Sequence, residues 1–471
     1  MKRYCLVAVL AGVFCAFSTA QPADNDHPLQ DLRRKVIREY DSAVPTLLNA
    51  QTLESDAEKD PNGILVGQFR GTFNCRQQEG VYILAYLYQE KQSEYYHDAE
   101  LLERVLLNVD YMCRAQGSNG GYNEYPNQGG WCGVALPDGG NSTRRPGKSS
   151  VAGFTFYCLA RSLVLLADEP AFRERLDVRI DNDGDGTKNV TRRQAYKYLL
   201  NDKINGGKMP GAMTYLHHNG RGHAPNQDTG ALAAAHAVNE AYKFLSGGEK
   251  LRTREELKDL RDHVLHGKGW FSDKGMLLEG GHGGRGYDAN YGVVTLHTLG
   301  AYAEYADDPV AAEFIGKFME GYQYFFVLDE EWPKGAYHEW RLARRSGGPR
   351  GIPVFAAGLT REHHPALRTL YAAGLEELRE NPGAFVPGGS HLFQIDAAQG
   401  IDCLLNWGAP ESEGYVLPCN SDETFTYRDK EANLEVTKTG RAPTTVTWKA
   451  YEWDGGVKEY TYQPPEGSGG K

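Results

Sequence analysis

The sequence predicts a mainly helical chain with a small β element near its C-terminal end. Three observations predict it. Apolar residues recur at helical spacing from Leu29 to about Leu378. Long loops rich in Gly, Asn, Tyr, His and Arg separate the helical stretches. Past Arg379 the pattern changes to short alternating runs set among Gly, Pro and Asn.

The helical faces can be read in order. Leu32, Val36, Ile37, Tyr40 and Val44 form one, and Leu102, Val105, Leu106, Val109 and Met112 a second. Leu232, Ala235, Val238, Tyr242 and Leu245 form a third, and Leu367, Leu370, Tyr371, Leu375 and Leu378 a fourth. Gly117–Gly140, His217–Asn226 and Glu279–Asn290 are the long loops, and a helix of small residues follows each. Small residues let helices approach closely, and helix N-termini present N–H groups without intrahelical partners. Expected strands are Phe425 to Tyr427, Leu434 to Thr437, Thr444 to Trp448 and Lys458 to Tyr462, with an earlier hairpin from Tyr322–Leu328 and Tyr337–Leu342.

Composition narrows the function. The 471 residues are 41% hydrophobic and 24% charged, ordinary values for a folded chain. The 28 Tyr, 17 Phe and 55 Gly suit a polar, aromatic-lined cleft walled by loops. A net charge of −11 argues against general affinity for nucleic acid, which needs a basic face to displace counterions. A local basic cleft for an anionic substrate remains compatible with it.

The first 20 residues read as an export signal: Lys2-Arg3, an apolar run from Leu6 to Phe17, then Ser18-Thr19-Ala20. No later run approaches the roughly 20 apolar residues of a membrane span, so no membrane partner is expected. Six cysteines follow the signal: Cys75, Cys113, Cys132, Cys158, Cys403 and Cys419. In an exported chain an even number suggests disulfides. Cys403 with Cys419 is the expected pair, Cys113 with Cys132 a second, and Cys158 a buried thiol. The expected organisation is a signal over 1–20, a helical catalytic domain over 21–378, a β-rich element over 379–463 and a disordered tail over 464–471.

Two loops concentrate reactive side chains. His217-His218-Asn219-Gly220-Arg221-Gly222-His223 runs through Ala224-Pro225 into Asn226-Gln227-Asp228 and an Ala-rich helix. There a side-chain amide and exposed N–H groups suit a carboxylate. Glu279 to Gly292 carries His282, Arg285, Tyr287, Asp288 and Asn290, with five glycines from Gly280 to Gly286. Tyr291 follows in the first turn of the next helix, on a stripe with Thr295, Thr298 and Tyr302, apart from the aliphatic Val293, Leu296, Gly300 and Ala303. An amide, imidazoles, a guanidinium and a phenol together fit abstraction of a weakly acidic proton next to a carboxylate, as in β-elimination from a uronate.

On these residues the chain resembles the α/α toroid polysaccharide lyases, which include alginate, chondroitin and glucuronan lyases. The resemblance is sharpest at Asn226-Gln227 and at Arg285 with Tyr287-Asp288-Ala289-Asn290-Tyr291. It implies an incomplete barrel of helical hairpins over roughly residues 30–380, and an anionic polysaccharide as substrate. It also implies Asn226 as the group neutralising the uronate and Tyr291 as base and acid. Arg285 would tune the charge, and His282 or His218 would be the imidazole. His218, His223, Gln227, Tyr287, Trp131 and Arg70 would hold substrate. A monomer or small homo-oligomer is expected, with no required cofactor.

Asp181, Asp183 and Asp185 match the first half of a calcium loop, but Arg192 stands where its bidentate Glu belongs, so a structural Ca2+ would need a ligand from elsewhere. Two rival functions stay open on sequence. One is a toroid glycoside hydrolase with a carboxylate pair drawn from Asp228, Glu279 and Asp288. The other is a glycan-binding protein without turnover.

Overall fold

A computed structural model describes residues 28–56, 65–71, 74–123, 146–182, 186–201, 210–219, 224–278, 289–328, 336–339, 344–346, 358–410, 414–440, 445–451 and 457–462. The expected export signal, Cys132 and the expected disordered tail lie outside these residues. The helices in chain order are α1 (Pro28–Ala50), α2 (Val81–Gln89), α3 (Ala99–Ala115), α4 (Ala152–Leu165), α5 (Pro170–Arg175), α6 (Arg192–Leu200), α7 (Ala212–Asn219), α8 (Pro225–Ser246), α9 (Arg254–Asp262), α10 (Ala289–Ala306) and α11 (Pro309–Tyr322). Helices Pro365–Glu380 and Ile395–Leu405 follow.

Two kinds of helix are present, and burial separates them. α1 buries one stripe, on the face read from the sequence, as does the first half of α3, while α3 is buried all round from Asn108 to Ala115. In α2, by contrast, every residue from Val81 to Tyr88 is buried, and in α4 every residue from Ala152 to Ala160. A helix buried all round has neighbours on all sides, so α2 and α4 are inner helices.

Side-chain contacts order the inner helices into a ring. On α2 and the turn before it, Glu79 meets Thr155 and Tyr82 meets Tyr157 on α4. A Cβ on Gly230 of α8 would stand 2.3 Å from the Phe154 ring of α4, so only glycine lets these two helices lie this close. Thr298 of α10 donates to Thr229 of α8 at 2.9 Å, and further along Tyr302 meets His236 with ring centroids 6.1 Å apart. His297 and Tyr305 of α10 both reach Asp402 on Ile395–Leu405, and that segment returns to α2 through Phe393 against Gly80 and Asp402 against Tyr82. The contacts advance in the same sense along both chains: Arg161, further along α4 than Phe154, lines one cavity with His236, further along α8 than Gly230, and Asn406, beyond Asp402, donates to Tyr305, beyond His297 on α10. The ring α2–α4–α8–α10–Ile395–Leu405 is therefore parallel, and all its N-termini lie at one end. α3, α6, α9 and α11 pack outside it.

Ile395–Leu405 lies beyond Arg379, in the stretch where β character was expected. The strands of this stretch begin at Phe425: β1 (Phe425–Asp429), β2 (Leu434–Thr439), β3 (Thr445–Tyr451) and β4 (Val457–Tyr462) form an antiparallel meander in that order. Trp448 is buried on its inner face and donates Nε1–H to the Tyr324 carbonyl at 2.9 Å, while Asp429 accepts from Ser272 at 2.5 Å. The expected earlier hairpin is shorter than read. Of Tyr322–Leu328 only Phe326–Val327 pairs with Ala336–Glu339, because Tyr322 closes α11 and the next three residues form a 3-10 turn; Ala336–Glu339 pairs in turn with Arg344–Ser346.

The expected Cys403–Cys419 disulfide is absent. Both thiols are buried and unoxidised. Cys403 sits in the helix Ile395–Leu405 beneath Gly358, and Cys419 Sγ donates to the Tyr324 carbonyl at 3.4 Å. Hydrophobic packing of the sheet on Tyr324 anchors this segment, where a closed loop was expected to do so. Cys158 is a buried thiol, as expected, with its pKa raised by desolvation.

Candidate functional site

The N-terminal end of the ring gathers polar side chains that have no hydrogen-bond partner among the described residues. α8 opens with Pro225, whose fixed φ suits the first helical position, so Asn226 and Gln227 fall in the first turn. Asn226 is only 6% exposed, yet its Oδ1 makes no hydrogen bond, and neither does Gln227 Oε1. A buried polar atom left unpaired costs about 1–3 kcal/mol, so native chains keep few of them, and a cluster marks function.

α10 brings Tyr291 to the same end. Thr298 and Tyr302 both touch α8, so the stripe Tyr291–Thr295–Thr298–Tyr302 is turned towards that helix. Tyr291 is partly buried in the first turn, and Thr295, one turn on, is buried with its Oγ1 unpaired. The sequence stripe and the structural face coincide.

The turn Cys75–Gly80, which leads into α2, supplies a third wall. Asn74 Nδ2, Gln77 Oε1 and Glu79 Oε2 are buried there without partners. Glu79 is 1% exposed, and its other oxygen accepts from Thr155 Oγ1 at 3.0 Å. Burial pushes the Glu79 carboxyl up to about 8, against the opposing pull of Arg76 and Thr155. Gln394 and Gln399, at the start of Ile395–Leu405, add two more unpaired amides.

Beneath this mouth lies a fully buried hub. Asp402 accepts from Tyr82 at 2.7 Å, Tyr157 at 2.6 Å and Tyr305 at 3.0 Å, and meets His297 Nε2 at 2.7 Å. Burial alone would raise its pKa. The His297 and Tyr157 hydrogen bonds and the Arg161 charge outweigh that and hold it below the ordinary carboxylate range. The hub joins α2, α4 and α10 to the last inner helix, and His297 Nδ1 remains without a partner.

No family model matches the sequence, and no curated protein matches it. Among solved structures the chain is similar to a Paenibacillus xanthan lyase, with a TM-score of 0.50 and 10% identity over 93% of this chain and 38% of the lyase. A sugar epimerase from a ruminal bacterium aligns with a TM-score of 0.40 and 10% identity, covering 75% of this chain and 86% of the epimerase. The fold is an α/α toroid. At such identity the likeness is one of fold alone, and this chain spans less than two fifths of the xanthan lyase's length.

Of the residues singled out in the sequence, Asn226, Gln227 and Tyr291 lie in the first turns of two adjacent helices at the mouth. His218 lies exposed in the last turn of α7. Arg70 donates to the carbonyls of Ala50 at 3.1 Å and Asn49 at 2.8 Å, tying its loop to α1. Asp181 Oδ2 accepts the Gly186 N–H at 2.9 Å, a turn-closing bond. Arg192 pairs with buried Asp110 at 2.9 Å, which accounts for its place in the acidic motif. His223, His282, Arg285, Tyr287, Trp131, Asp183 and Asp185 lie outside the described residues, as do Glu279 and Asp288. Asp228, a carboxylate of the hydrolase reading, is fully buried and accepts from the Trp270 indole at 2.7 Å, so it faces the interior. Sequence reading missed Glu79, His297 and Asp402. A single His inside a helix of small residues and a single Glu at a helix start were the available signals, and neither stands out without its partners.

Proposed function

We propose that the chain is an exported polysaccharide lyase that cleaves a uronic-acid polymer by β-elimination. The observation that carries this reading is the unpaired Asn226 amide in the first turn of α8, beside the α10 face that bears Tyr291. The amide and the α8 N-terminus offer donors and a positive helix end to the uronate carboxylate. Neutralising that carboxylate makes the C5 proton more acidic and stabilises the enolate-like charge. Tyr291 takes the proton as the C5–H bond breaks. The electrons form a C4–C5 double bond, the C4–O4 bond breaks, and a proton passes from the phenol to the leaving oxygen. Arg285 and an imidazole, His282 or His218, complete the charge balance in this reading. No water is consumed.

A likeness in fold to a xanthan lyase supports a polysaccharide as the substrate class. The test is a screen of the purified protein over alginate, glucuronan, chondroitin, hyaluronan, ulvan and xanthan. A rise in ultraviolet absorbance from the conjugated double bond is the expected result with one of them. Reducing ends released without absorbance would instead mean hydrolysis, with neutral Glu79 as the candidate acid.

A further inference from the structure

The far end of the ring, where α4, α8 and α10 terminate, holds a cavity of about 470 Å³ that the elimination chemistry does not use. Its walls carry five cationic side chains, Arg161, Lys243, Lys250, Arg254 and Lys258, against three carboxylates, Glu240, Asp307 and Asp308. In a chain of net charge −11 this is a local reversal of sign. Two of the three acids are already engaged. Glu240 is shared by Lys250 at 3.2 Å and Lys243 at 3.5 Å, and Asp308 is held by Arg261 at 2.7 Å.

The cations are not explained by the helix ends alone. Helix C-termini carry partial negative charge and attract cations, which accounts for Lys243 in the last turn of α8. Arg254, however, is the first residue of α9, behind a capping box of Thr253 and Glu256. A helix start disfavours a cation, and Lys258 follows one turn later. Arg161 is placed more deliberately. Its guanidinium lies 3.6 Å over the Tyr305 ring, and Nε donates to Tyr82 at 3.4 Å. Its charge helps hold Asp402 of the hub ionised, and among the described residues no carboxylate lies within ion-pair distance of it. Arginine's planar fork then offers its outer N–H groups to the cavity it lines. Tyr302 and His236 add flat, polar-edged surface, and burial lowers the His236 pKa to about 4, so its ring is neutral at neutral pH.

We propose that this cavity is a second binding site, for a small organic anion the size of one sugar unit. Its acid group is held by Arg161, Arg254 and Lys258, and its body lies against Tyr302 and His236. The volume falls within the usual range for small-molecule sites. The proposal does not depend on the lyase reading.

The test is calorimetric titration of the full chain carrying Asn226→Ala, which weakens any binding at the mouth, with glucuronate, inorganic phosphate and glucose as probes. Expected are one equivalent of glucuronate bound, affinity that falls with added salt, displacement by phosphate, and no binding of glucose. Adding Lys258→Glu should weaken glucuronate about tenfold without moving the melting temperature. Arg161→Gln should weaken glucuronate similarly while also destabilising the Asp402 hub, so Lys258→Glu keeps the test decisive if the buried substitution unfolds the chain. In the otherwise native chain Lys258→Glu should leave turnover unchanged. No binding of glucuronate, equal binding of glucose, phosphate binding alone, or unchanged affinity in Lys258→Glu would each overturn the proposal.

Discussion

At the scale of single residues, Tyr291 and Glu79 make opposite demands on their surroundings. In the proposed elimination Tyr291 is needed for one oxygen. Tyr291→Phe keeps the ring and its packing, so the fold should survive, while turnover on the polymer found in the screen should fall roughly 10²–10⁴-fold with little change in substrate affinity. Steady-state kinetics decide this, and an active Tyr291→Phe enzyme would remove the phenol from the chemistry. Glu79 is instead a group whose burial favours its neutral form, from an ordinary 4.5 up to about 8. The folded state holds this proton where the unfolded chain releases it, so the stability from Glu79 is present at low pH. It is lost as pH rises through that window and is constant above it. Glu79→Gln mimics the neutral acid. The melting temperature of the native chain should therefore fall relative to Glu79→Gln between about pH 5 and pH 8. A constant gap across that range would mean that Glu79 is ionised in the fold.

At the scale of elements, Asp402 holds the last inner helix to three others. Asp402→Ala would leave Tyr82, Tyr157, Tyr305 and His297 buried without their acceptor. The expected loss is about 3–5 kcal/mol in denaturant unfolding, and a loss below about 1 kcal/mol would show that the hub is dispensable. α1 was legible in sequence because it buries one stripe, through Leu32, Val36, Ile37, Tyr40 and Val44. The side of α10 that carries Tyr291, Thr295, Thr298 and Tyr302 was legible for a different reason: its polar residues keep helical spacing inside a buried helix. Ile395–Leu405 was not legible as part of the ring. It is short, carries Gly400, and owes its burial to partners more than 300 residues away, as the Tyr82–Asp402 bond spans 320. The disulfide expectation failed for a related reason. Sixteen residues of separation between Cys403 and Cys419 said nothing of the helix that carries one sulfur away from the other.

At the scale of the whole molecule, the parallel ring divides the protein into two ends. One gathers the unpaired amides and Glu79; the other gathers cations around a cavity. A chain ending at Asn381 would lack Ile395–Leu405 and leave the inner faces of α2 and α10 uncovered. It should keep helical far-ultraviolet circular dichroism but bind a hydrophobic dye and melt without cooperativity. A sharp transition in that truncated chain would mean that the ring is complete without its last helix. The 320-residue reach of the Tyr82–Asp402 bond also has a consequence in time. A ribosome adds roughly 5–20 residues per second, so Tyr82 emerges on the order of tens of seconds before the carboxylate that will accept from it. During synthesis the early helices can pair into hairpins, but none of them can find the residue that closes the circle. The nascent chain therefore stays an open arc until Asp402 has been made, and the circle can shut only after that.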